Sequence, residues 1–137
     1  TRGPGGPTGG MHMAKDELPN QVDVDELFDL AAGDTEIVGE ILAAFQEEYP
    51  RLMADLRRGV AQGDPEMVRE RSHALKGICA TLGAARARDE AHVLEKMGKG
   101  GDLAGASELL GRFEMIMQKV REELTLVRDE LASTKNP

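Results

Sequence analysis

The segment that decides the fold of this chain is RERSHALKGICATLG, residues 69–83. Its spacing is typical of an amphipathic α-helix, in which successive side chains turn by about 100°. On such a helix the segment and the valine before it collect their apolar side chains on one face: Val68, Leu75, Ile78, Cys79 and Leu82. His73 falls in the middle of the opposite face. We therefore expect this helix to be buried along its apolar face and to direct the imidazole into solvent.

The residues one turn from His73 on the same face are cationic or small: Arg69, Lys76, Gly77 and Ala80. Nearby cations favour an unprotonated ring nitrogen and would stabilise a phosphoryl group bound to it, so the pattern indicates a phosphate acceptor. A glycine inside a helix costs about 1 kcal/mol relative to alanine, which suggests that Gly77 leaves room for a partner. Spacing alone also allows a solvated histidine without a role, or a core histidine with both nitrogens satisfied.

Composition narrows the class of protein. The chain has 137 residues, a net charge of −8, 3% aromatic residues and one cysteine. This length predicts one domain, and the acidic balance argues against nucleic-acid binding. One cysteine cannot form an internal disulfide and fits a reducing compartment. No run of about 18 apolar residues and no signal pattern is present, so we expect a cytoplasmic protein without a membrane span.

Apolar periodicity and capping residues predict five helices and no strand. The predicted ranges are 24 to a stop at Gly33, 35–62, 65–82, 85–97, and a last helix from about 103 to 132. Pro50 should kink the second helix without breaking it, because the apolar face keeps its phase. Residues 98–101, which include three glycines, are predicted to form a turn, and Asp102 to cap the last helix.

These helices predict an all-α fold, an antiparallel up-down four-helix bundle with the short first helix covering one end. Residues 21–132 would form this bundle. Residues 1–20 are expected to hold an expression-tag remnant, over the Gly- and Pro-rich residues 1–13, and a disordered N-terminus. Residues 133–137 are expected to fray. Because four helices can satisfy the apolar heptads of the last helix internally, we expect a monomer.

Other polar and reactive residues predict no second site. Cys79 falls on the inward face and is expected to be a small core residue. His92 follows His73 by nineteen positions without a further ligand at metal-binding spacing, so we predict a boundary residue and no metal site. Glu122 and Glu123 lie off the apolar face of the last helix and are expected to be solvated.

The signal around the histidine is that of a known family. The run Ser72-His-Ala-Leu-Lys-Gly77, followed by Leu82-Gly-Ala84, resembles the signature of histidine-containing phosphotransfer (HPt) domains, His-x-Leu-Lys-Gly and then Leu-Gly at the helix end. Phe45–Pro50 resembles part of the family's long second helix, and the Gly-Asp pairs at 63–64 and 101–102 are also similar. The resemblance covers about residues 24–127.

The resemblance implies a phosphocarrier, not an enzyme with kinase or ATP-binding activity. Such a domain takes a phosphoryl group from the aspartate of one receiver domain and passes it to another, in a two-component phosphorelay. It implies that His73 is the phosphoacceptor at Nε2, that Lys76 stabilises phosphate charge, and that Gly77 clears space. The partners would be receiver domains of response regulators or of hybrid histidine kinases. No cofactor is implied for this chain, and Mg²⁺ is expected only on the receiver.

The docking surface follows from the helical wheel and is less specific than the motif. We expect Arg69, Ala80 and Ala84, together with exposed parts of the first helix, to surround His73 where a receiver docks. Two alternatives stay open. The chain could be the phosphoacceptor module of a chemotaxis-type histidine kinase, or a non-catalytic bundle that docks a receiver without accepting phosphate.

Overall fold

The computed structural model describes residues 15–135, which form helices joined by turns and contain no strand. A 3₁₀ turn at Lys15–Glu17 precedes five α-helices: α1 (Val24–Leu30), α2 (Thr35–Gln62), α3 (Pro65–Thr81), α4 (Ala85–Gly100) and α5 (Ala106–Lys135). The all-α class predicted from the sequence is confirmed. None of the helices in this range is long and apolar enough to span a membrane.

Aspartates start three of the helices. The carboxylate of Asp23 accepts the backbone N–H of Glu26 at the start of α1, and Asp34 does the same for α2. Asp64 accepts the N–H of Met67 at 3.2 Å, and proline occupies the first position of α3. These caps satisfy amide donors that have no partner within the helix, which is why the helices begin where the sequence predicts. The helix α2 continues through Pro50 without a break.

The core lies between the apolar faces of the long helices. The helix α3 packs against α2 and α4, and α5 packs against the same two helices. On α3 the fully buried side chains include Leu75 and Cys79, as the wheel predicts, and on α5 they include Phe113 and Met117. Burial raises the pKa of the Cys79 thiol to about 12, so this cysteine stays protonated and unreactive. It is a core residue, as predicted.

The end of α4 corrects the sequence-based boundary. The predicted turn at residues 98–101 is wrong, because α4 continues to Gly100 and only Gly101 adopts the left-handed conformation. Gly98 is buried in the helix and packs on the backbone of α3, which outweighs its weak helix propensity. The predicted cap is also wrong: Asp102 accepts the N–H of Ala104 inside a turn, and α5 begins only at Ala106.

The segments at both ends of the described range, near residues 15 and 135, contain more regular structure than the sequence predicts. Residues 15–20 are not disordered, since they contain the 3₁₀ turn and the buried Leu18. Glu123 is only partly exposed, and its carboxylate accepts the backbone N–H groups of Gln21 and Val22 at 2.8–3.0 Å. These amides would otherwise lack partners at a partly buried position. The helix α5 reaches Lys135, although fraying is predicted from residue 133. The expected tag remnant, with His12, lies outside the described residues.

A close backbone contact fixes the start of α1 near the end of α3. The N–H of Asp23 donates to the carbonyl of Gly83 at 2.8 Å. Gly83 has a φ of +72°, and a Cβ there would lie 2.7 Å from the carbonyl oxygen of Asp23. Only glycine allows both the conformation and the approach. The short first helix is therefore held beside the helix that carries His73.

Candidate functional site

His73 lies on the exposed side of α3. Its side chain is 66% exposed, whereas Leu75 and Cys79, on the other face of the same helix, are fully buried. This confirms the predicted orientation of the imidazole toward solvent, and it rules out the core histidine that spacing alone allows. A partner can therefore reach the ring without any rearrangement of the helices.

The inner nitrogen of the ring is held by a carboxylate on the neighbouring helix. Nδ1 of His73 lies 2.8 Å from Oε2 of Glu95 on α4. An ionised carboxylate only accepts hydrogen bonds, so Nδ1 carries the proton in this contact. In the neutral ring the lone pair is then on Nε2. Nε2 is therefore the ring nitrogen whose lone pair remains available.

Two more side chains complete a group that we call the His73 cluster: His73, Lys76, His92 and Glu95. Nζ of Lys76 lies 2.7 Å from Oε1 of Glu95 and 3.5 Å from Nδ1 of His92. Nδ1 of His92 is also 3.6 Å from Oε1 of Glu95. Lys76 is thus on the same side of α3 as His73, as predicted. His92 is half exposed, but it belongs to this cluster, which the sequence does not indicate.

Glu95 is negatively charged at neutral pH. The residue is only 8% exposed, yet the ion pair with Lys76, and next the hydrogen bond from His73, lower its pKa to about 2. These two contacts outweigh the desolvation that would raise the pKa. A charged carboxylate at Nδ1 stabilises positive charge on the imidazole ring.

Glu95 contacts both His73 and Lys76, and the sequence pattern does not identify it as a member of the site. It lies one turn after the buried Ala91 and next to the buried Leu94, on the inward side of α4. A carboxylate at such a position needs a partner, because an unpaired buried charge is costly. This irregularity in the apolar stripe of α4 is the signal that points to Glu95, although it does not identify the partner.

Arg69 stands one turn before His73 but is paired elsewhere. Its guanidinium contacts Glu66 through both Nε and Nη2, and Glu70 lies 3.8 Å away. The hydrogen bond to Glu66 is the main cause of the raised pKa of Arg69. Its charge acts on the His73 cluster from a distance, while its contacts are with acidic residues of α3.

The other predicted docking residues divide into accessible and inaccessible ones. Gly77 and Ala80 are exposed on the His73 side of α3, and a Cβ at Gly77 would meet nothing within 4 Å. Ala84 is fully buried just before α4, so its assignment to a docking surface is wrong. The wheel fails there because α3 ends at Thr81, before Ala84 is reached. Val93 on α4, beside His92, exposes 45% of its surface.

Within residues 15–135, no group of three or more His, Cys, Asp and Glu side chains is arranged to hold a metal ion. The His73 cluster itself offers an exposed imidazole with a carboxylate at one ring nitrogen and a lysine beside it, an arrangement that can act as a nucleophile.

The comparisons with known proteins agree with this geometry. The Hpt domain family model matches residues 40–130, more than half of the chain. One solved structure, the crystal structure of histidine-containing phosphotransfer protein B (HptB) from Pseudomonas aeruginosa PAO1, matches with a TM-score of 0.75 and 21% identity. The match covers 82% of this chain and 98% of that chain. At this identity the likeness shows a common fold. No curated protein sequence matches.

The family match defines the class of protein: this chain belongs to the Hpt domain family. Its role is histidine phosphotransfer in phosphorelays. Proteins of this class are phosphocarriers and not kinases, and they interact with receiver domains.

Proposed function

We propose that His73 is the phosphoacceptor and that it carries a phosphoryl group between the aspartates of receiver domains. The observation that carries this proposal is the exposed imidazole whose Nδ1 is held by Glu95, which leaves Nε2 free to react. His92 is the other histidine of the cluster. Its Nδ1 lies 3.5 Å from the ammonium of Lys76 and 3.6 Å from Oε1 of Glu95, so no close contact fixes the proton of His92 as the 2.8 Å contact does for His73.

The transfer needs little from this chain besides position and charge. The Nε2 lone pair of His73 attacks the phosphorus of an aspartyl phosphate, and the bond from phosphorus to the aspartate oxygen breaks, releasing the carboxylate with the electron pair. Glu95 balances the positive charge that the ring gains, and Lys76 stabilises the phosphoryl oxygens. Attack by a second aspartate reverses these steps. The Mg²⁺ that such transfer uses would come with the receiver.

The proposal extends to the helix arrangement, the location, the oligomeric state and the partners of the chain. We propose that α2 to α5 form an up-down bundle, which is supported by the packing of each helix on the next and of α5 on α2. We further propose a cytoplasmic monomer without autokinase activity or ATP binding, whose partners are receiver domains of response regulators or hybrid histidine kinases. They would dock around His73, over Gly77, Ala80 and the exposed part of α1.

Labelling with radioactive phosphate tests the proposal. A phosphorylated receiver with Mg²⁺ should transfer its label to the chain as an acid-labile, alkali-stable phosphate. The His73→Gln variant should take up none. His92→Gln is the matched control, because it changes the other histidine of the cluster, and it should keep most of the label. Full labelling of His73→Gln would refute the assignment.

The contact between Nδ1 of His73 and Glu95 favours a second candidate, the phosphoacceptor module of a chemotaxis-type histidine kinase. An acyl phosphate is already a reactive donor, whereas ATP is less so, and a carboxylate-supported imidazole suits the harder attack. The donor distinguishes the two functions. Under the second candidate, a kinase domain with ATP would label His73 directly, and a phosphorylated receiver would label it poorly. A non-catalytic docking bundle predicts receiver binding without label from either donor.

A further inference from the structure

The closest approach of α3 and α4 occurs at Gly98. A Cβ built on this residue would lie 2.6 Å from the backbone nitrogen of Arg69, 2.7 Å from the carbonyl oxygen of Pro65 and 2.9 Å from the Cα of Arg69. These neighbours are backbone atoms, which cannot turn aside as a flexible side chain can. Gly98 is buried within α4. The two helices are therefore in backbone contact at this point, and any side chain would push them apart.

The His73 cluster begins one turn from this contact. On α4, Glu95 lies one turn before Gly98 and His92 lies two turns before it. On α3, His73 lies one turn after Arg69 and Lys76 lies two turns after it. These residues pair turn by turn across the two helices: Glu95 contacts His73, and His92 contacts Lys76. The distance between the helices at Gly98 consequently governs how far Glu95 must reach to touch His73.

We propose that Gly98 is a positioning residue for phosphotransfer, which acts by setting the distance from Glu95 to His73. The proposal rests on the proposed function of His73. A methyl group at position 98 would need about 1 Å more space to reach ordinary van der Waals separation. The same displacement would stretch the 2.8 Å contact between Glu95 and His73 beyond hydrogen-bonding distance. Nδ1 of His73 would then lose the acceptor that fixes its proton.

Alanine substitutions at two glycines of α4 provide a matched pair. Gly98→Ala adds the methyl group at the helix contact, whereas Gly100→Ala adds it where nothing lies within 4 Å. A second control, Gly59→Ala, crowds α3 from the side of α2, where the Cβ would lie 3.1 Å from Cγ of Met67. It perturbs the packing of α3 without touching α4.

Two readouts are measured on each variant. The first is the ¹⁵N NMR spectrum of the His73 ring at about pH 8.5, where imidazole is neutral, which reports which nitrogen carries the proton. The second is the rate of phosphotransfer from a phosphorylated receiver. In Gly98→Ala the two nitrogen shifts should converge, and the rate should fall by about tenfold or more, as expected for a misplacement of about 1 Å. Gly100→Ala and Gly59→Ala should keep the Nδ1–H signature and a rate within about twofold of the parent.

The proposal fails if Gly98→Ala keeps both the signature and the rate, or if Gly59→Ala loses them equally. Should Gly98→Ala not fold, Glu95→Asp replaces it, since it shortens the reach to His73 by one methylene and adds no atom to the helix contact. Glu95→Asp should lose the Nδ1–H signature, and its retention would overturn the proposal. Because the NMR readout involves no phosphate, it separates this inference from the identity of the phosphoacceptor, which the labelling of His73→Gln decides.

Discussion

Nζ of Lys76 lies 2.7 Å from Oε1 of Glu95, so the lysine beside the proposed phosphoacceptor is paired with a carboxylate before any phosphoryl group arrives. The same carboxylate holds Nδ1 of His73 through its other oxygen. Glu95 thus fixes both the ring and the lysine that must serve the phosphoryl group. Phosphorylation at Nε2 brings a stronger anion to the cluster, and we expect Lys76 to share its charge between that anion and Glu95.

Loss of the Lys76 charge should slow phosphotransfer. In Lys76→Gln the phosphoryl oxygens lose a nearby cation, and we expect the transfer rate to fall by about tenfold or more. The measurement is the time course of label transfer from a phosphorylated receiver. Lys99→Gln, at an exposed position in the last turn of α4, is the control and should transfer at the parent rate. An unchanged rate in Lys76→Gln would show that the lysine serves only Glu95.

Loss of the Glu95 charge should also slow phosphotransfer. Glu95→Gln keeps the shape of the side chain but removes the negative charge that stabilises the ring as it becomes cationic. We expect about a tenfold lower rate at saturating receiver, because this interaction acts mainly after attack has begun. Glu90→Gln is the matched control on α4, since Glu90 is also largely buried and paired, with Arg112 at 3.1 Å. Equal rates for the two variants would contradict a role for Glu95.

The lowered pKa of Glu95 predicts acid sensitivity of the fold. The carboxyl of Glu95 has a pKa of about 2 in the folded chain, against an ordinary pKa of 4.5, so between those values the folded state binds fewer protons here than the unfolded state. The stabilisation is complete above about pH 4.5 and is lost as the pH falls toward 2. In urea unfolding, the free-energy difference between the parent and Glu95→Gln should therefore shrink over this range. A difference that stays constant with pH would exclude the ionised pair as its source.

Sequence patterns predict the features that depend on one helix alone, such as its buried face and its first residue. The exposure of His73 follows from the apolar face of α3, and the helix starts follow from capping aspartates, because both are local properties. The contact between His73 and Glu95 joins residues 22 positions apart on different helices, and its distance depends on how closely the helices pack. Gly98 sets that distance. In the sequence it resembles a glycine of a turn, whereas in the structure helix packing outweighs its low helix propensity.

The same limit applies at the ends of the chain. Glu123 resembles a solvated residue on the surface of a helix, because nothing near it in sequence shows its partners. Its carboxylate instead binds the amides of Gln21 and Val22, about a hundred positions earlier. Long-range polar contacts of this kind carry no periodic signal, so residues 15–20 cannot be recognised as ordered from their composition alone.

Gly77→Ala should have opposite effects on the free protein and on its complex. A Cβ at this exposed helical position meets nothing within 4 Å, so alanine should stabilise the fold by about 1 kcal/mol and raise Tm by roughly 4 °C. If Gly77 clears space for a receiver, the added methyl group should weaken receiver binding about tenfold. Thermal unfolding and titration calorimetry with the receiver measure the two effects separately. Gly111→Ala on α5, where a Cβ also meets nothing within 4 Å, should show the stabilisation alone. If both variants bind the receiver as tightly as the parent, the interface does not cover Gly77, and the docking surface must lie elsewhere around His73.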